Sequence, residues 1–108
     1  MQTINRVAAI VTPRTPFFEW SRSVLGDEAA PCDPTQCRTA FLIPEAKSGD
    51  HALKSVYPGI FDEMLLSEVN APELWPKDRG LRVFRKWFDV ETIDMVFDTA
   101  KGDLHHDL

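Results

Sequence analysis

Two short apolar runs in the chain do not alternate with polar positions. Asn5-Arg6-Val7-Ala8-Ala9-Ile10-Val11 ends at Thr12-Pro13, and Thr39-Ala40-Phe41-Leu42-Ile43 is closed by Pro44. A half-exposed strand alternates, so both runs read as buried strands, with Thr39–Ile43 the central one, covered on both faces. Between them Thr15-Pro16 reads as a helix N-cap followed by proline at the first helical position, and Gly26 ends the helix near Leu25. Phe17, Trp20 and Val24 form its apolar stripe, widened by Phe18 and Leu25, and the aromatic cluster Phe17-Phe18-Glu19-Trp20 reads as core packing. Gly26 to Cys37 has no periodicity and reads as a loop. Two buried strands joined through a helix suggest a right-handed β-α-β unit, hence parallel strands.

After Ser48-Gly49-Asp50, helical spacing runs through Leu53, Val56, Tyr57, Ile60, Phe61, Met64 and Leu65. Pro58-Gly59 interrupts it and predicts a kink, or two short helices meeting at Tyr57. Trp75-Pro76 introduces a further helix over Lys77–Phe88, with Leu81, Phe84, Trp87 and Phe88 on one side. Alternation of Ile93, Met95 and Phe97 marks a last strand over Thr92–Asp98, with one wetter face. The sum is a single small α/β (or α+β) domain over residues 1–100, ordered β-α-β-α-α-β. Its sheet is three-stranded and mixed, with helices packed on it, and residues 101–108 read as a flexible tail. So small a sheet has open edges, and edge pairing into a homodimer is compatible with it.

Composition narrows the class. At 108 residues, 44% hydrophobic and 27% charged, the chain suits one ordinary globular domain that builds a core without staples. Met1 to Arg6 has no basic segment leading into a long apolar run, so no signal peptide is expected. No stretch is apolar for long enough to span a bilayer, and a cytoplasmic location without membrane contact is the simplest expectation. The net charge of −5 disfavours nucleic acid and anionic membrane as partners. Charge is segregated, however: Lys77, Arg79, Arg82, Arg85 and Lys86 face a single acid, Asp78, within ten positions, leaving seven basic and sixteen acidic residues elsewhere.

Cys32 and Cys37 offer one pair where a structural zinc needs four ligands, and the adjacent His105 and His106 lie in the tail. Neither a metal nor another cofactor is expected. Reduced thiols are the default reading, with a disulfide left open.

The motifs Thr15-Pro16-Phe17-Phe18-Glu19-Trp20, Ala40-Phe41-Leu42-Ile43-Pro44-Glu45, Trp75-Pro76 and Phe84-Arg85-Lys86-Trp87-Phe88-Asp89-Val90-Glu91 follow the first buried strand in that order. In this the chain resembles a family of small uncharacterised bacterial proteins, over roughly Val7 to Asp98. The resemblance implies a single bacterial cytosolic domain. It brings no activity, cofactor or site residue with it.

Candidate chemistry is sparse. Parallel strands would gather Arg14 with Glu45, Lys47 and His51 at one rim, beside two helix N-termini that favour an anion. Neither G-x-G-x-x-G nor G-x-x-x-x-G-K-[ST] is present to cradle a nucleotide. Glu45-Ala46-Lys47 matches half of a metal-dependent nuclease pattern, for which Asp27 or Asp33 would have to supply the second acid. Asp94 and Asp98, about 13 Å apart on one strand, are too distant to share a metal. No Ser/His/Asp or Cys/His arrangement emerges. On a helical wheel Arg79, Arg82 and Lys86 fall within about 60° of one another, with Arg85 flanking and Val83 beside them. The first reading is therefore a non-enzymatic protein-interaction domain using the basic face Arg79, Arg82, Arg85 and Lys86. The alternative is an enzyme or small anionic-ligand binder at the Arg14, Glu45, Lys47, His51 rim. A third is an acidic inhibitor or immunity-type protein.

Overall fold

A computed structural model describes residues 2–29 and 33–105. In chain order they form β1 (Gln2–Thr3), β2 (Arg6–Pro13), α1 (Thr15–Leu25), the single turn α2 (Pro34–Cys37) and β3 (Thr39–Pro44). α3 (Gly49–Leu66), α4 (Leu81–Trp87), β4 (Phe88–Ile93) and β5 (Phe97–Asp98) follow. The order β3-β2-β4 makes a three-stranded sheet, and β1 pairs with β5 in a small separate ribbon. The class is α+β.

Both partners of β2 run antiparallel to it: Val11 faces Thr39, and Pro13 faces Phe88. The expected parallel β-α-β unit is therefore absent, and the sheet is antiparallel rather than mixed. A helix between two strands does not dictate their direction. The eleven residues of α1 rise only about 16 Å, whereas the eight-residue β2 is about 24 Å long. The chain re-enters the sheet at Thr39, opposite Val11 near the end of β2, and so runs back along it.

The central strand is β2, not Thr39–Ile43. Val7, Ala9, Val11 and Pro13 are buried along one side of β2, while Ala8, Ile10 and Thr12 are half-exposed along the other. In β3, Ile43 is buried and Phe41 half-buried, but Ala40, Leu42 and Pro44 are exposed. This strand lies at an edge with one face open. Its run looked doubly covered because its solvent side carries apolar residues.

α1 matches its predicted span, and α3 starts as predicted at Gly49 and ends at Leu66. Arg14 rather than Thr15 is the N-cap of α1, without a side-chain bond, and Gly26 ends the helix at φ 58°, a conformation glycine adopts without strain. Ser48 caps α3, its hydroxyl accepting the His51 backbone N–H at 3.1 Å. α3 is one helix through Pro58, not two meeting at Tyr57. Lys54, Pro58 and Gly59 are all exposed, so the Lys54 carbonyl left without its helical donor faces water.

The predicted Lys77–Phe88 helix is shorter at both ends. The Asp78 carboxylate accepts the Gly80 N–H at 3.1 Å and holds that segment as a turn, so α4 starts at Leu81. Phe88 is already extended, at φ −136° and ψ 139°, and passes directly into β4. The third strand of the sheet is thus Phe88–Ile93 rather than Thr92–Asp98, and only Phe97–Asp98 of the predicted segment pairs, with Gln2–Thr3.

The helices pack on the side of the sheet that carries Val7, Ala9 and Val11. Between them sits an aromatic core, in which the Phe61 ring meets Phe84, Phe88 and Trp87 with centroids 5.6, 5.4 and 5.8 Å away. Phe17 lies 5.3 Å from Phe88 and 5.7 Å from Trp20, so the aromatic cluster of α1 is core as predicted. Indole N–H groups tie the periphery down: Trp20 donates to the Leu74 carbonyl at 3.0 Å and Trp75 to that of Val69 at 2.8 Å. The buried Ser21 hydroxyl donates to Glu68 at 3.2 Å.

Candidate functional site

The end of β2 and the start of β4 are adjacent, and this brings two separately noticed groups of residues together. Pro13 pairs with Phe88, and the next backbone N–H, that of Arg14, donates to the Trp87 carbonyl at 2.8 Å. Arg14 Nη1 reaches the Arg85 carbonyl at 3.3 Å. Arg14 and Pro16 thus lie against the outer side of α4, where they border an open cleft of about 820 Å³ with Leu81, Arg82, Arg85 and Lys86. Four cations and two apolar side chains line it, and no acid does.

Its electrostatics are only partly balanced. The Arg85 guanidinium donates to Asp50, which also faces Lys54 Nζ at 3.4 Å. No ion pair engages Arg82, Lys86 or Arg14 among the described residues. Arg82 and Lys86 are four residues apart on one helix, a like-charge spacing that disfavours a helix by a few tenths of a kcal/mol. Arg85 and Lys86 in the last turn complement the helix dipole, but Arg82 in the first turn is at the wrong end for that. A bound anion would relieve the repulsion.

Of the predicted basic face, Arg79 is elsewhere. It precedes α4, lies 3.7 Å from Asp62, donates to the Pro76 carbonyl at 2.6 Å and stacks 5.7 Å from the Trp75 ring centroid. It latches a turn onto α3. Val83 packs against the core rather than beside the basic groups.

The predicted rim is split by the antiparallel pairing. β3 ends beside Arg6, so Glu45 and Lys47 sit about 24 Å along the sheet from Arg14. They line, with Val7, Ser48 and Asp94, a separate depression of about 260 Å³. No local signal in the sequence links Asp94 to Glu45, because the ends of β3 and β4 meet only through β2. Asp98 is in β5, where its carboxylate accepts the Ala100 N–H at 2.9 Å, so the two aspartates do not share a strand. His51 is exposed on the first turn of α3. Among the described residues no three His, Cys, Asp or Glu side chains gather as metal ligands. Cys32 and His106 lie outside the described residues, and with Cys32 any pairing to Cys37. No described helix is long and apolar enough to cross a membrane.

No protein-family model, curated protein or solved structure matches the chain.

Proposed function

We propose that this protein is a small non-enzymatic interaction domain that receives an acidic segment of a partner protein in the cleft between α1 and α4. The observation that carries the reading is the meeting of Arg14, Arg82, Arg85 and Lys86 around one cleft with no acid in its lining, on a chain whose net charge is −5. The overall negative charge works against a long polyanion such as nucleic acid, while a local cationic cleft still accepts a short run of carboxylates. Pro16 and Leu81 offer apolar contact to a residue flanked by those carboxylates. Arg85 would exchange its bond to Asp50 for one to the partner. Single exposed ion pairs contribute little, so such binding depends on several acting together and weakens with salt.

The test is capture of partners by the tagged chain from native lysate, beside the Arg82→Ala/Lys86→Ala variant, followed by titration of the captured partner's acidic peptides. The expected result is a partner held at low salt by the native chain and lost by the variant, with circular dichroism unchanged. Retention of every partner by the folded variant would exclude the cleft.

The cleft's size favours a second reading, a small anionic ligand, since pockets for such ligands span about 300–1,000 Å³. A rise in melting temperature with phosphorylated metabolites, abolished by the same variant, would select it.

A further inference from the structure

We propose that a second copy of this chain covers the outer face of the three-stranded sheet, giving a face-to-face homodimer. All helices of seven or more residues lie on the other side, and on this one the outward side chains Ala40, Leu42, Glu91 and Ile93 are exposed. Its surface follows from the register. Residues opposite one another across a ladder share a face, so three outward rows run β3 to β4 as Leu42, Ala8, Ile93, then Ala40, Ile10, Glu91, then Arg38, Thr12, Asp89. Arg38 takes its place by extending the register one residue beyond β3, and a shallow groove of about 350 Å³ bordered by Ile10, Arg38, Ala40, Glu91 and Ile93 agrees with it.

The centre of this face is apolar. Leu42 is 47% exposed and Ile93 41%, large hydrophobic side chains left in water on one surface. The apolar surface continues beyond it, because Leu104 lies beside Leu42, Ile4 and Arg6 in a small neighbouring cavity.

The distribution of charge selects a second copy as the occupant. The cation, Arg38, is on one edge strand, and the acids, Asp89 and Glu91, are on the other. A twofold axis parallel to β2, between two facing sheets, lays β3 of each copy over β4 of the other while keeping the rows level. Leu42 then meets Ile93, Arg38 meets Asp89 with Glu91 one row away, and Ile10 and Ala8 meet their own counterparts on the axis. The Leu42–Ile93 and Arg38–Asp89 contacts are each made twice, and those on the axis once. Arg6 meets its counterpart at the exposed end of the strand, where a long side chain reaches water. Two such sheets stack about 10 Å apart with strands roughly aligned. The basic cleft is built from α1 and α4 and takes no part, so this inference stands or falls apart from the proposed function.

The experiment is sedimentation velocity of the full chain at micromolar concentrations, with Arg38→Glu, Asp89→Arg and the double variant R38E/D89R run in parallel. All the altered positions are exposed, and circular dichroism checks the fold. The expected result is a dimer that each single reversal weakens by about tenfold or more and that the double reversal restores, since like charges set face to face cost more than one tenfold step. A native chain that stays monomeric overturns the proposal. So does a dimer indifferent to both reversals, which would pair through the open edge of β3 instead.

Discussion

Gly49 shows how closely two elements approach at a single residue. A Cβ built there would lie 2.7 Å from the Thr92 Cβ and 2.9 Å from its methyl group, so α3 starts against β4 with room for hydrogen only. Gly49→Ala should cost about 1–3 kcal/mol, read as a lower urea midpoint with an unchanged slope. Adding Thr92→Gly removes the obstructing atoms, and the double variant should lose less than the sum of the two single changes. Strict additivity would mean that the helix start simply shifts. Arg79 and Arg82 make a related point. A helical wheel puts them in one stripe, yet the Asx turn at Asp78 ends that stripe before Leu81, leaving Arg79 on Asp62 and Arg82 at the cleft.

At the scale of elements, α3 carries Pro58 in the middle of its eighteen residues. The missing N–H leaves the Lys54 carbonyl without its helical donor, and Pro58 itself is exposed rather than part of the core. Pro58→Ala should therefore raise stability by about 1–3 kcal/mol, the restored helical bond and relieved clash exceeding the smaller entropic benefit of proline in the unfolded chain. Thermal denaturation checks it, and a lower melting temperature would mean that proline at position 58 is needed to seat Ile60 and Phe61. The starts of α1 and α3 and the stop of α1 are readable because Pro16, the Ser48 cap and Gly26 each act within a few residues. The end of α4 is not. Trp87 and Phe88 continue the helical apolar pattern, and pairing of Phe88 with Pro13, seventy-five positions earlier, draws the chain into a strand instead.

For the whole molecule, stability is concentrated in β2, which is bonded on both sides and has its inward residues buried. The β1–β5 ribbon pairs Gln2 with Asp98 and Thr3 with Phe97, with one further bond from the Ile4 N–H to the Val96 carbonyl at 3.0 Å, and Phe97 is 49% exposed. Hydrogen exchange should accordingly be slowest at the amides of Ala9 and Val11 and fast throughout the ribbon. Ribbon amides as protected as those of β2 would require a covering surface over residues 94–104. The molecule has two sides of different character, one closed by helices and one open with charge divided between its edge strands. That arrangement depends on all three strands at once.

The span of α1, the start of α3, the aromatic side of α1 and the existence of a small α and β domain follow from patterns that span fewer than twenty residues, where spacing and capping decide the backbone. Strand direction, the central place of β2 and the meeting of Arg14 with Arg85 across 71 positions do not. A non-alternating run such as Thr39–Ile43 is the same string whether a second layer covers it or water does. Its antiparallel pairing with β2 alone made it an edge and removed the rim of parallel strands, while pairing of β2 with β4 brought Arg14 to the cleft beside α4.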